Sequence, residues 1–227
     1  MNRRARGFTL VELAVVLAII GLVLGALMVP LNAQIDQQRI NDTQKQLDVI
    51  REALLGFAAG NGRLPCPAVP TTANTTAGAG TEARGGGACT QAGSEGVLPW
   101  ATLGISETDA WQRRFTYRVT PEFANDAPAG ALATFTLTDN GNITISNGTV
   151  DIATQIPAVV LSHGKNGAGG YRTNGTRETL GTGDELENAD VDGTFVSKIP
   201  MADYDDLVAW VSLNVLKSRM VAANRLP

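Results

Sequence analysis

The chain reads as an α+β protein. One long N-terminal helix, apolar in its first half and amphipathic in its second, packs on a C-terminal antiparallel sheet domain. Three observations carry that expectation. Residues 8–31 (FTLVELAVVLAIIGLVLGALMVPL) hold a single charged side chain, Glu12. From Ile40 the apolar residues change to helical spacing. Beyond about residue 98 they come in short runs divided by turn residues, the order of a helix, a loop and then strands.

The first seven residues, MNRRARG, are basic and lack apolar bulk. A helix over 8–31, at ~1.5 Å per residue, is long enough to cross a ~30 Å hydrocarbon core. The arginines on its N-terminal side place that end in the cytoplasm and the remainder beyond the inner membrane. A secretory signal has a shorter apolar run closed by a small-residue cleavage site, whereas Val29, Pro30, Leu31 and Asn32 lead into further helix. A plain signal anchor satisfies the length and charge but leaves Glu12 unexplained. An ionisable group one turn inside an apolar helix costs up to ~3 kcal/mol on insertion scales, which marks it as functional. If the leader is cut after Gly7, Phe8 gains a free amine one turn from Glu12. Amine and carboxylate of neighbouring subunits then pair inside an apolar bundle, each charge tolerable only with the other present. Gly21 and Gly25 have the spacing of a close helix contact, which simple tolerance of small residues in a membrane helix explains equally well.

The motif Arg6-Gly7-Phe8-Thr9-Leu10-Val11-Glu12-Leu13 resembles the processing site of the type IV prepilin family, which includes type IV pilins and type II secretion pseudopilins. The resemblance implies cleavage between Gly7 and Phe8 by a prepilin peptidase that also N-methylates Phe8. It further implies that Glu12 meets the Phe8 amine of another subunit. It is specific over residues 6–31 and loose beyond. Pro30 lies one position later than the helix-kinking proline of pilins, so a bend or melted turn is expected near 25–30.

In residues 32–60 the helix continues. Ile40, Leu47, Ile50, Leu54 and Phe57 share one face, while Arg39, Asp42, Lys45, Asp48 and Arg51 lie largely elsewhere. The whole helix, from about Phe8 to Ala59, is ~52 residues or ~78 Å, and Gly60-Asn61-Gly62 followed by Pro65 stops it. Its apolar face is too short for a coiled coil. Residues 61–98 form a Gly- and Thr-rich connection, of a length that is usually functional or mobile, within a globular domain of 61–227. It contains both cysteines, Cys66 and Cys89. In an exported domain two cysteines suggest one disulfide, which closes a ~24-residue loop and contributes ~3 kcal/mol on the chain-entropy estimate; two free buried thiols are the alternative. Strands are expected at 114–119, 133–137, 142–146 (after the turn Asp139-Asn140-Gly141), 158–162 and 206–211. Ser212 then caps a closing helix with Val215, Leu216 and Met220 on one face and Asn224 as its stop.

Composition excludes some functions. There are 18 basic and 22 acidic side chains, a formal charge of −4; without Arg3, Arg4 and Arg6, 15 basic remain against 22, or −7. Such a body is a poor binder of nucleic acid, whose phosphates need clustered Lys and Arg. Arg113, Arg114 and Arg118 make only a small basic spot, read as a solvated strand face. The single histidine, His163, lies in a Gly-rich loop without a nucleophile elbow, and no phosphate loop or HExxH is present, so no enzyme activity is expected.

Two further stretches are similar to the major pseudopilin of type II secretion. Asp109-Ala110-Trp111-Gln112, continuing to Tyr117, is similar to its Asp-Pro-Trp-Gly…Tyr segment, with Ala110 and Gln112 replacing Pro and Gly. Ser162-His163-Gly164-Lys165-Asn166-Gly167 is similar to its Ser-x-Gly-x-Asp-Gly loop, with Asn166 replacing Asp. In that family the second loop helps hold calcium. An acidic run follows here, and Asp184, Glu185, Asp190 and Asp192 are candidate oxygen ligands for such an ion; a solvated acidic loop accounts for the same residues without one. No other cofactor is expected.

The resemblance therefore implies a filament subunit, with like subunits, the prepilin peptidase, the membrane and an inner-membrane assembly platform as partners. A pseudopilin, a pilin or minor pilin, and a signal-anchored periplasmic binding domain that never polymerises remain alternatives. Because residue 7 must present a small, accessible backbone to the peptidase, Gly7→Ala should slow maturation. Unchanged conversion of precursor to mature chain, followed by mass spectrometry over time, would remove that idea.

Overall fold

The computed structural model describes residues 9–93, 96–190 and 192–227, and of residues 26–31 the backbone alone. Gly7 and Phe8 lie outside the described residues. The chain divides into two units at Arg39/Ile40. One helix, α1, spans Leu10–Asn61, two residues past the expected end. Its helical backbone runs unbroken across 25–30, so the anticipated melted turn is absent. Proline removes one helical hydrogen bond, and intact turns on both sides accommodate that loss.

In the first unit every side chain from Thr9 to Gly25 is exposed, all round the helix. An apolar surface on every side of a helix demands lipid or other helices around it. Among the described residues, however, no helix is long and apolar enough to cross a membrane. The exposed apolar stretch of 10–25 accounts for only ~24 Å of rise.

In the second unit the amphipathic reading holds. Leu47, Ile50, Leu54, Leu55 and Ala58 of α1 are buried, while Lys45–Asp42 and Arg51–Asp48 pair on the exposed side. Gly62 ends the helix in a left-handed conformation (φ 75°), its N–H bonded to Ala58 O at 2.8 Å. Arg225 Nε donates to Ala59 O at 3.0 Å, placing a cation against the terminal carbonyls.

A short hairpin of β1 (Arg84–Gly85) and β2 (Ala88–Cys89) and a single turn, α2 (Trp100–Leu103), lie in the 61–98 region and just beyond it. Then come β3 (Arg113–Arg114), β4 (Thr116–Val119), β5 (Ile143–Ser146), β6 (Asp151–Ile156), β7 (Ala158–Ser162), β8 (Tyr171–Arg172), the turn α3 (Asp184–Glu187), β9 (Thr194–Val196), β10 (Leu207–Val211) and α4 (Leu213–Ala222). The principal sheet has the order β10-β7-β4 and is antiparallel. All five residues of β7 are buried. Val160 joins the cluster containing Leu54 of α1, whereas Val159 and Leu161 join Ile143, Ile145 and Phe195 of a second sheet, β6-β5-β9. The alternation of side chains along a strand thus produces three layers: helix, sheet, sheet. Not all the pairing is antiparallel, because β9 joins β5 in parallel.

The expected strand at 133–137 is not formed. The Asp139 carboxylate accepts the Thr136 N–H at 2.7 Å and its hydroxyl at 3.0 Å, and this local bonding competes with a sheet ladder. Ala133 and Phe135 are nevertheless buried, the latter against Phe123. In α4, Leu216 and Met220 face the core while Val215 is 46% exposed. Ser212 occupies the N-cap without a side-chain cap bond, and Asn224 follows the helix at φ 53°.

The 61–98 connection is tied down at several points. Cys66 and Cys89 are bonded, with Cα atoms 5.5 Å apart. Glu82 takes two bonds from Arg63, at 2.5 and 3.1 Å, and the Cys66 N–H at 2.6 Å. The basic residues of β3 and β4 correct the solvated-face reading. Arg114 is wholly buried, and its guanidinium donates to Glu107, Pro70 O, Thr72 O and Thr173 O at 2.8–2.9 Å while lying over Trp100. Arg118 is also buried. A planar five-donor fork can bind three carbonyls from two backbone segments and a carboxylate at once, which a single-donor group could not. Arg114→Met should therefore destabilise the protein by about 3–5 kcal/mol. In urea unfolding the midpoint should fall at constant slope, and a change below about 1 kcal/mol would deny the clamp its importance.

Candidate functional site

The first site is the start of α1. Thr9 precedes the helix, and the Glu12 Oε2 accepts both its N–H and its hydroxyl at 2.9 Å. The Glu12 N–H returns a bond to Thr9 Oγ1 at 3.2 Å. This is a reciprocal capping box, which satisfies two N-terminal donors of the helix. The Thr-x-x-Glu spacing is the sequence signal for this box, independent of the lone charge in the apolar run. Glu12 thus has local partners within one chain, and an incoming amine must share or displace them.

The second site lies in the globular unit, where the stretches 109–117 and 162–170 meet. Asp109 is buried; its Oδ1 accepts the N–H groups of Trp111 at 2.9 Å and Arg113 at 3.0 Å, and its Oδ2 accepts the Ser162 hydroxyl at 2.5 Å. Ser162 Oγ in turn accepts the Gly164 N–H at 3.2 Å. Burial raises the Asp109 pKa, and the hydrogen bond from Ser162 leads the opposing effects. One carboxylate therefore fixes the turn before β3 and the end of β7 together.

The substituted positions have physical explanations. Gln112, where the resembling segment has Gly, sits at φ 64°, a left-handed conformation that glycine adopts without a Cβ penalty. Asn166, where that loop has Asp, donates Nδ2 to Glu185 Oε1 at 2.8 Å and accepts the Ala168 N–H at 2.8 Å. An aspartate would have no donor for Glu185 and would add like charge. At Gly164 (φ 55°) a Cβ would lie 2.2 Å from Asp205 O and 2.3 Å from its Oδ1, so only glycine lets the chains approach this closely.

The four expected ligands do not form one site. Glu185 clusters with Asp205 and Asp206, whereas Asp190 and Asp192 cluster with Glu187. Asp184 pairs with Lys198. Burial raises the Glu187 pKa, with Asp192, Asp190 and Asp184 adding to it. Burial lowers that of Arg118, and Asp192 and Asp190 oppose the shift, so this second cluster faces a cation already. In the first cluster burial raises the pKa values of Asp205 and Asp206; Glu185 adds to both, and Asp205 also raises Asp206. Sequence reasoning used Asp206 only as the start of a strand and overlooked Asp205. Two adjacent acids before an apolar run were the available signal.

His163 is buried, with Nε2 2.9 Å from Thr116 Oγ1. Burial lowers its pKa to about 3; Arg177 and then Arg113 act in the same direction, and the Ala168 backbone opposes them. The ring is therefore neutral near pH 7, and its 3.9 Å approach to Asp206 Oδ1 is not an ion pair there. The unfolded chain takes up a proton near 6.5 and the folded one only near 3. The contribution of His163 to stability is thus constant above pH 6.5 and declines as pH falls from 6.5 toward 3. Asp205 and Asp206, with raised values, act oppositely, gaining stability as pH falls toward 3.8. Moving from pH 7 to pH 4 should therefore shift the stability difference between wild type and His163→Asn against the wild type. Urea melts at both values check the sign.

Comparison with known proteins bears on the N-terminal site alone. The model of the prokaryotic N-terminal methylation motif, a type IV prepilin-like signal, matches residues 2–28. No curated protein and no solved structure matches the chain.

Proposed function

We propose that this chain, with a prepilin-like signal across residues 2–28, is a structural, non-enzymatic subunit of a type IV filament system. Prepilin peptidase cuts between Gly7 and Phe8 and methylates the new amine. The helix is first held in the inner membrane, N-terminus inward, and then passes through an assembly platform into a core of like helices. The carrying observation is an apolar helical surface with Glu12 as its one charge, exposed on every side. Such a surface is costly in water and complementary to copies of itself. The charge supplies register, because a misaligned neighbour leaves a carboxylate and an amine buried apart.

Within that class the reading favoured is a type II secretion pseudopilin. Its support is the bond between Asp109 and Ser162, which joins the two stretches that resemble the major pseudopilin. A pilin or minor pilin is the second reading, and the long segment of 61–98 favours it. A signal-anchored domain that never polymerises is distinguished by its N-terminus: N-methyl-Phe8 on the mature chain excludes it, and a retained leader in cells with the peptidase would exclude the filament. A divalent cation bracing the loop of 162–170 belongs to the same proposal, with calcium the ion that the loop's resemblance implies.

Glu12→Val should leave cleavage largely intact and reduce filaments recovered by shearing by more than about tenfold, because the amine loses its buried partner. Wild-type recovery from that variant would refute the pairing mechanism.

A further inference from the structure

The disulfide joins two sulfurs in unlike surroundings. Cys66 is wholly buried, whereas Cys89 is part-buried in the β1–β2 hairpin, between residues 85–88 and Thr90, all of them exposed. The turn of that hairpin is open, since a Cβ added at Gly86 would meet nothing within 4 Å. Arg84 pairs with Cys89 across the hairpin. Its side chain is largely buried, and Nη1 donates to Cys66 Sγ at 3.0 Å and to Ala124 O at 2.9 Å. A cation therefore touches the buried sulfur, and solvent borders the residue that carries the other.

The charges around Arg84 leave that contact intact. Its Nη2 pairs with Asp126, whose side chain is 53% exposed and so screened by water. Glu82 lies 3.8 Å from Nη1, beyond hydrogen-bond reach, and already takes two bonds from Arg63. The hairpin is also held without the sulfurs. Thr90 donates its N–H and its hydroxyl to Ala83 O at 3.0 and 2.8 Å. The Cys89 N–H goes to Asn125 Oδ1 at 3.0 Å, and the Asp126 N–H to Gly87 O at 3.0 Å. Opening the S–S bond thus leaves both cysteines where the folded chain has them.

We propose that Cys89 is the sulfur through which the folded chain exchanges with a partner dithiol, and that Cys66 is the resolving sulfur, stabilised by Arg84. A thiolate of the dithiol attacks Cys89 Sγ and forms a mixed disulfide. The Cys66–Cys89 bond breaks, and its electron pair leaves on Cys66 as a thiolate beside the guanidinium. The dithiol's second thiolate then attacks its own sulfur in the mixed bond and releases Cys89. Two electrons pass to the chain, the dithiol becomes a disulfide, and its two protons end on the cysteines. Run backwards, the same steps close the bond with a partner disulfide as oxidant. Access selects the sulfur attacked, and stabilisation of the departing thiolate sets how readily it leaves. The partner is thus a dithiol–disulfide oxidoreductase, and the exchange needs nothing of the filament role.

The test uses the oxidised full-length chain in detergent, with glutathione as the first probe. After a short exposure the reaction is quenched with excess N-ethylmaleimide, and peptide mass spectrometry locates the glutathione. It should sit on Cys89 at least about tenfold more often than on Cys66. Equal labelling, or a preference for Cys66, overturns the assignment. With dithiothreitol, Arg84→Met should lose the disulfide at least about tenfold more slowly than the wild type, and Asp126→Asn should lose it no more slowly. An equal slowing in both variants, or none in Arg84→Met, overturns the role of Arg84. Circular dichroism checks that the variants fold, and the glutathione map of the wild type decides if they do not. The reduced wild type should keep its spectrum and reclose with oxidised glutathione. Reduction that occurs only in denaturant overturns the exchange as a whole.

Discussion

Burial of both faces of β7 is the constraint on which the globular unit depends. The run Ala-Val-Val-Leu-Ser has no polar side, so it needs apolar cover above and below. One face receives Leu47, Ile50 and Leu54 of α1, and the other receives Ile143, Ile145 and Phe195. Because Ser162 ends that strand, its hydroxyl is delivered to the buried carboxylate of Asp109. The loop that follows, with His163 and Asn166, starts from a defined position. Packing of the central strand therefore places the polar site, and the Asp109–Ser162 bond then ties the turn before β3 to the end of that strand.

The long connections are ordered by charge where they have little apolar surface to bury. Glu82 gathers Arg63 and the backbone of Cys66, and the disulfide closes the same region. Arg114 binds three carbonyl groups from two distant loops and one carboxylate. Charge-assisted bonds in a dry setting are stronger than their solvated equivalents. A Gly- and Thr-rich stretch can therefore be well placed despite its composition.

Glu12 illustrates how one residue serves two structures. In the single chain it closes a capping box with Thr9. In the proposed filament it faces a neighbour's amine. Both uses need a carboxylate one turn into the helix, where the first N–H groups are unsatisfied. The local bonds hold the carboxylate near the helix start and so limit the positions in which a partner amine can meet it.

The prepilin-like signal, the long helix with its change of character near Ile40, the buried face of Leu47, Ile50 and Leu54, and the strands at 143–146, 158–162 and 207–211 were legible in the residues. Each depends on local spacing of apolar, charged or turn residues, which a linear reading can count. Tertiary structure alone decided the rest. Asp139 diverted the apolar run of 133–137 into a turn, and β9 joined β5 in parallel across nearly fifty residues. Arg114 was drawn inside by carbonyls remote in sequence. The acidic residues separated into two clusters, and Glu185 found Asp205 and Asp206 instead of its sequence neighbours. Spacing along the chain carries periodicity, whereas a carboxylate's partners are set by which loops the core brings within a few ångströms.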